Sequence, residues 1–145
     1  MSVLFKHILA CVDLGDPASA KEVLASALEI ASPDSTLHVF TAVPDFGRSI
    51  VGSFFPRDFE SEALEKTRAE LHAFIDANVP EGVLHQAVIG HGNIYEEILA
   101  SAENVSADLI VIGSHRPELK DYLLGPNAAR VVRHADMSVL VVRRR

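Results

Sequence analysis

A single cysteine, Cys11, is all the thiol chemistry in this sequence. One thiol cannot close an intramolecular disulfide and cannot assemble a cysteine-based structural zinc site, which fits a reducing cytoplasm. Cys11 lies inside an apolar run and reads as an inert core residue. Long hydrophobic runs are also missing. The longest wholly apolar stretch is a handful of residues, and residues 1–5 lead straight into Lys6 and His7 without a signal-peptide pattern, so no segment reads as membrane-crossing. Basic residues are the minority, 13 Lys and Arg against 20 Asp and Glu for a net charge of −7. Such a balance excludes a sequence-independent grip on nucleic-acid phosphates unless the cations cluster strongly. The one cluster, Arg143, Arg144 and Arg145, reads as a solvated tail, with contact to an anion or an acidic partner as its other use.

What the chain does contain is core-forming material. Its 145 residues, 48% of them hydrophobic, suffice for one compact domain spanning 1–145. Residues 6–14 (KHILACVDL) form an apolar run too short for a typical helix and ended by Gly15, Asp16 and Pro17, a buried strand followed by a turn. Residues 17–31 place Ala20, Val23, Leu24, Ala27, Leu28 and Ala31 at helical spacing before Ser32, Pro33 and Asp34 stop them. The same reasoning predicts strands over 36–43, 83–89, 108–113 and 138–143 and helices over 59–78, 93–105 and 128–135.

Five strands alternating with four helices predict an α/β fold, a single doubly wound five-stranded parallel sheet with helices on both faces. Each parallel return needs a crossover, and right-handed crossovers lay helices on the sheet. In open parallel sheets ligands bind beyond the carboxyl ends of the strands, where the winding direction reverses. Asp13 stands at such an end. Its carboxylate suits a ribose hydroxyl or a base amino group, and equally suits turn or helix-start chemistry. Gly113 leaves strand four, Gly125 precedes a helix, and a loop lies between them. Glycines let backbone approach a phosphate, and a helix start offers unpaired N–H groups and partial positive charge. The first turn of that helix, from Pro126, holds no acidic residue to occupy those donors. Gly125 and Pro126 also fit a plain helix start.

Residues 113–143 (GSHRPELKDYLLGPNAARVVRHADMSVLVVR) resemble the closing block of universal stress proteins, whose nucleotide-binding members carry Gly-x2-Gly-x9-Gly-Ser/Thr. The likeness extends to HILACVDL and TAVPD, nearly the whole chain. It implies the strand order 3-2-1-4-5, with Asp13 and the backbone around Val43 holding adenosine and the glycine-rich block holding ribose and phosphates. The residues so implied are Asp13, Val43, Gly113, His115, Arg116, Gly125, Pro126 and Asn127, the ligand ATP or AMP, with Mg2+ accompanying ATP. Three departures stand out: Arg116 replaces the second glycine, eight residues instead of nine precede Gly125, and Pro126 replaces Ser/Thr. The Ser-His-Arg-Pro variant resembles one nucleotide-binding subgroup, in which Arg116 would pair with phosphate. Pro126 removes one N–H and one hydroxyl, a loss of about 1.5 to 3 kcal/mol at a charged ligand. His115 has two roles open, beside the phosphate or on the loop surface.

Other motifs carry less. Gly90-His91-Gly92 lacks the third glycine and the later acidic partner of a dinucleotide fingerprint, so it either flanks the phosphates or only shapes a turn. No Gly-x4-Gly-Lys-Ser/Thr is present, and no set of catalytic groups is evident, so activity beyond a weak ATPase is not expected. The terminal apolar strand at a sheet edge suggests a homodimer, as the family commonly makes. The expectation is therefore a cytoplasmic nucleotide-binding stress-response switch; the rival is a nucleotide-free dimeric scaffold for a protein partner not named by the sequence.

Overall fold

The computed structural model of the chain describes residues 4–43, 58–114 and 126–143. The elements run β1 (His7–Cys11), α1 (Pro17–Ile30), β2 (Thr36–Val43), α2 (Asp58–Asn78), β3 (Leu84–His91), α3 (Ile94–Asn104), β4 (Leu109–Gly113), α4 (Pro126–His134) and β5 (Ser138–Val142). All strand pairings are parallel, and the order is β3-β2-β1-β4-β5, as the sequence implied.

Strand alternation divides the core between the two faces. Ile8 and Ala10 of β1 and Val12 just beyond it pack with Val23 and Leu24 of α1 and Leu71 and Ile75 of α2. Leu9 and Cys11 face the other way, onto Ile98 and Ala102 of α3 and Ala128 and Val131 of α4. A stretch buried on both faces must be apolar at every position, which is why Ile8–Cys11 of β1 and Leu109–Ile112 of β4 read as unbroken apolar runs. Leu9, Ile110 and Val111 are wholly excluded from solvent. Each such side chain contributes about 1.5 to 3 kcal/mol relative to exposure.

Local chemistry sets the element ends. Asp16 caps α1, its side chain accepting from the Ser19 N–H at 3.3 Å, with Pro17 in the first turn. Asn93 caps α3, and Glu96 and Glu97 sit in its first turn, where the helix dipole favours negative charge. The helix predicted from residue 128 starts at Pro126, because a proline in first position gives up no hydrogen bond. β1 stops at Cys11, short of the predicted 14. Val12 N–H still reaches the Phe40 carbonyl at 2.8 Å, but the Asp13 carbonyl accepts from Asp16 N–H at 3.0 Å and so belongs to the turn. β3 runs on to His91, held through the last turn by the register Val43 against His91.

At the amino end of the sheet polar groups tie neighbouring strands. The Asp108 carboxylate accepts from the backbone N–H groups of Lys6 and His7 at 2.8 and 3.0 Å, joining β4 to β1. His38 of β2 lies between His7, 3.1 Å from its Nε2, and Gln86, 2.5 Å from its Nδ1. Burial of the His38 imidazole lowers its pKa from the ordinary histidine value, and the nearby His7 pushes the same way. Among the described residues no helix is long and apolar enough to cross a membrane.

Candidate functional site

The chain winds outward from β1 through β2 to β3, then returns past β1 to β4 and β5. Loops leaving the carboxyl ends of β1 and β4 therefore depart in opposite directions, and a crevice opens between them. It has a volume of about 620 Å³. Its floor is the strand ends, with Val12, Thr41 and Ile112 among them; α3 contributes Ile94 and Ile98. An apolar floor with a few polar groups at the rim is the usual make-up of a small-molecule site.

Asp13 lines this crevice. One carboxylate oxygen accepts from the Gly15 N–H at 2.9 Å, and its other oxygen has no partner among the described residues. The turn chemistry open to Asp13 in the sequence is thus used by one oxygen only, and it fixes the direction of the group. Asp16, which caps α1, also lines the crevice.

Gly113 closes β4 opposite Asp13, and its lack of a side chain has a packing reason. A Cβ there would sit 3.2 Å from Ser19 Oγ and 3.7 Å from Val23 Cγ2, so glycine lets the β4 exit lie close against the start of α1. Ser114 is buried and donates its N–H to the Val142 carbonyl at 2.9 Å. Pro126 and Asn127, at the start of α4, complete that side. Of the residues singled out in the sequence, Asp13, Gly113, Pro126 and Asn127 are brought together around one crevice. Val43 is buried at the end of β2, where its carbonyl accepts from Gly92 N–H at 3.0 Å, while Thr41 and Ala42 line the crevice. His115, Arg116 and Gly125 lie outside the described residues.

Sequence reasoning passed over Ser19 and Thr41. Thr41 is buried, and its hydroxyl donates to the Val12 carbonyl at 3.0 Å, binding the exits of β1 and β2 together. The signal was a hydroxyl residue near the carboxyl end of a mostly apolar strand. Ser19 gave none, since a serine in a first helical turn is common.

Cys11 touches the crevice but is held 8% exposed, and burial pushes its thiol pKa up, so the sulfur stays protonated at neutral pH. The Gly90-His91-Gly92 turn has packing reasons of its own. A Cβ on Gly90 would meet Phe40 and Glu97 atoms at 2.9 Å, Gly92 takes φ of +135°, and His91 N–H donates to the Glu97 carboxylate at 2.9 Å. Among the described residues no group of three or more His, Cys, Asp or Glu is placed to hold a metal ion.

The sequence pattern of the Universal stress protein family matches residues 4–143. Universal stress protein A homolog 1 of Coxiella burnetii is 32% identical over 95% of this chain and 96% of its own. In three dimensions the protein MJ0577 of Methanocaldococcus jannaschii superposes with a TM-score of 0.82, 23% identity and 99% of each chain covered. A universal stress protein solved in complex with cAMP gives a TM-score of 0.59 at 20% identity, over 96% of this chain and 97% of that one.

Proposed function

The chain belongs to the universal stress protein family, and on that premise we propose that it binds an adenine nucleotide, ATP or AMP, in the crevice between β1 and β4. The observation that carries this reading is Asp13, a carboxylate oriented by Gly15 with one oxygen left for a ligand, at the rim of an apolar crevice large enough for a nucleoside. The apolar floor suits a purine face, and Asp13 suits a ribose or amino donor. A relative of the same fold holding cAMP, itself an adenine nucleotide, supports the ligand class.

On this reading His115, Arg116 and Gly125 join Pro126 and Asn127 around the phosphates, in the manner of the Ser-His-Arg-Pro subgroup, and Mg2+ enters with ATP. The bound nucleotide acts as a regulatory ligand, shifting conformation or partner choice without being chemically processed. The protein works in the cytoplasm as one domain of 145 residues, as a homodimer joined through β5, whose Val139 to Val142 remain only partly buried at the sheet edge.

The second reading, a nucleotide-free dimeric scaffold for a protein partner, is favoured by Pro126, which removes one N–H from the helix start. Calorimetric titration of the wild type and Asp13→Ala with ATP, ADP and AMP decides between them, together with chromatography of whatever is released on denaturation. Nucleotide binding that is lost in the variant is the expected result. No heat at millimolar nucleotide and nothing released would hand the case to the scaffold.

A further inference from the structure

Among the described residues, the hydroxyl side chains on the crevice are those of Ser19, Thr41 and Ser114. Thr41 and Ser114 are built into the fold. Thr41 gives its proton to the Val12 carbonyl, and Ser114 is buried where β4 meets β5. Ser19 is partly exposed, and the fold makes no use of its hydroxyl.

Local chemistry would ordinarily claim that group. A polar side chain in the third position of a helix reaches back to the N-cap N–H. Ser19 stands three residues after the Asp16 cap, but the Asp16 N–H is already held by the Asp13 carbonyl at 3.0 Å. The Ser19 N–H is held in turn by the Asp16 carboxylate at 3.3 Å. These two bonds fix the start of α1 and leave the Ser19 hydroxyl without a hydrogen-bond partner among the described residues.

Its oxygen lies 3.2 Å from the point where a Cβ on Gly113 would stand, so it overlooks the β4 exit, and glycine there keeps it uncovered. β1 and β4 are neighbours, with Cys11 against Ile112, so Asp13 emerges one strand spacing, about 4.8 Å, from that exit. An acceptor-only oxygen on Asp13 and a hydroxyl on Ser19 that both donates and accepts therefore line one end of the crevice. Adjacent hydroxyls of a sugar match that pair, one donating to Asp13 while its neighbour bonds to Ser19. An ionised phosphate has no proton for Asp13, and the base belongs on the apolar floor of Phe40, Ile98 and Ile112.

Resting on the adenine-nucleotide reading, we infer that Ser19 is a specificity residue of the crevice. It holds one hydroxyl of the ribose 2′,3′-diol while Asp13 holds the other, so the site selects ribonucleotides over their deoxy forms.

The test is titration of wild type and Ser19→Ala with AMP, 2′-deoxy-AMP and 3′-deoxy-AMP, with circular dichroism to confirm that the variant folds. The substitution keeps the helix start, because the Asp16 cap uses the Ser19 backbone N–H and alanine favours a helix. In wild type each deoxy form is expected to bind more weakly than AMP. Ser19→Ala weakens AMP about fivefold, as loss of one neutral hydrogen bond does. It leaves unchanged the deoxy form that lacks the hydroxyl held by Ser19 and weakens the other as it weakens AMP. AMP binding unaffected by Ser19→Ala, or all three ligands weakened by one factor, overturns the role given to Ser19 while leaving the crevice reading intact. A wild type that binds no AMP overturns both.

Discussion

Replacing Gly90 by alanine tests whether the turn after β3 is there for packing or for a ligand. The backbone does not forbid the change, since the described glycines with positive φ are Gly82 and Gly92. Space does. An alanine Cβ would lie 2.9 Å from Phe40 Cε2 and Cζ and 2.9 Å from Glu97 Cβ. Phe40 is 2% exposed and cannot swing outward, and Glu97 Cβ is fixed to the α3 backbone. Overpacking of this kind costs about 1 to 3 kcal/mol. Alanine recovers about 0.4 to 1 kcal/mol by restricting the unfolded chain. The net loss is then about 1 to 2 kcal/mol, or roughly 3 to 7 °C in Tm for a chain of this size. Urea unfolding followed by circular dichroism measures it. Adding Phe40→Leu removes the two ring atoms, so the double-mutant cycle should show coupling between positions 40 and 90. Coupling stays partial, because the Glu97 contact remains. A Gly90→Ala protein as stable as wild type, with no coupling to Phe40, would refute the packing argument and return Gly90 to the candidates for ligand contact.

Two further expectations concern stability. The folded-state pKa of His38 is lowered, so above the ordinary histidine value of about 6.5 both folded and unfolded forms are neutral and nothing is lost. Below it the unfolded chain takes up a proton that the folded one resists, and stability falls by at most about 1.4 kcal/mol per pH unit for this group. Denaturant unfolding at neutral and mildly acidic pH should show a smaller drop in His38→Gln than in wild type, and equal drops would rule His38 out as a source of acid lability. Thr41→Val removes the buried hydroxyl that donates to the Val12 carbonyl. The expected loss is about 1 kcal/mol by urea unfolding, and an unchanged midpoint would mean that the β1 and β2 exits are held by the ladder alone.

Much of this architecture could be read from the chain because local and tertiary demands coincide. After His7, ILAC is apolar at every position, as is LIVIG, and parallel strands sandwiched between helix layers require that. Asp16 with Pro17 and Asn93 with Glu96 announce their helices by capping chemistry, and the helices begin there. Boundaries were less legible where a residue serves two patterns. Val12 continues the apolar run and its ladder bond, yet Asp13 already belongs to the turn, so hydrophobicity alone carried the predicted strand past its end. The site divides in the same way. Asp13 and Gly113 were visible because a carboxylate and a glycine interrupt apolar strands at their exits. Ser19 was not, because its nearness to Gly113 depends on how α1 folds back over β4, a contact with no local signature.

Arg130 marks the limit of such reading most clearly. In the sequence it is one of several basic residues in an amphipathic helix, and amphipathicity accounts for it fully. Only the packing of α3 against α4 brings Tyr95 beneath it and gives the guanidinium a fixed place. The same logic ties stability to recognition at Gly90. Its missing side chain sets how closely β3, Phe40 and α3 approach, and α3 presents both Ile98 to the crevice and Tyr95 to Arg130. A change that moves α3 should disturb the apolar floor and the Arg130–Tyr95 contact together.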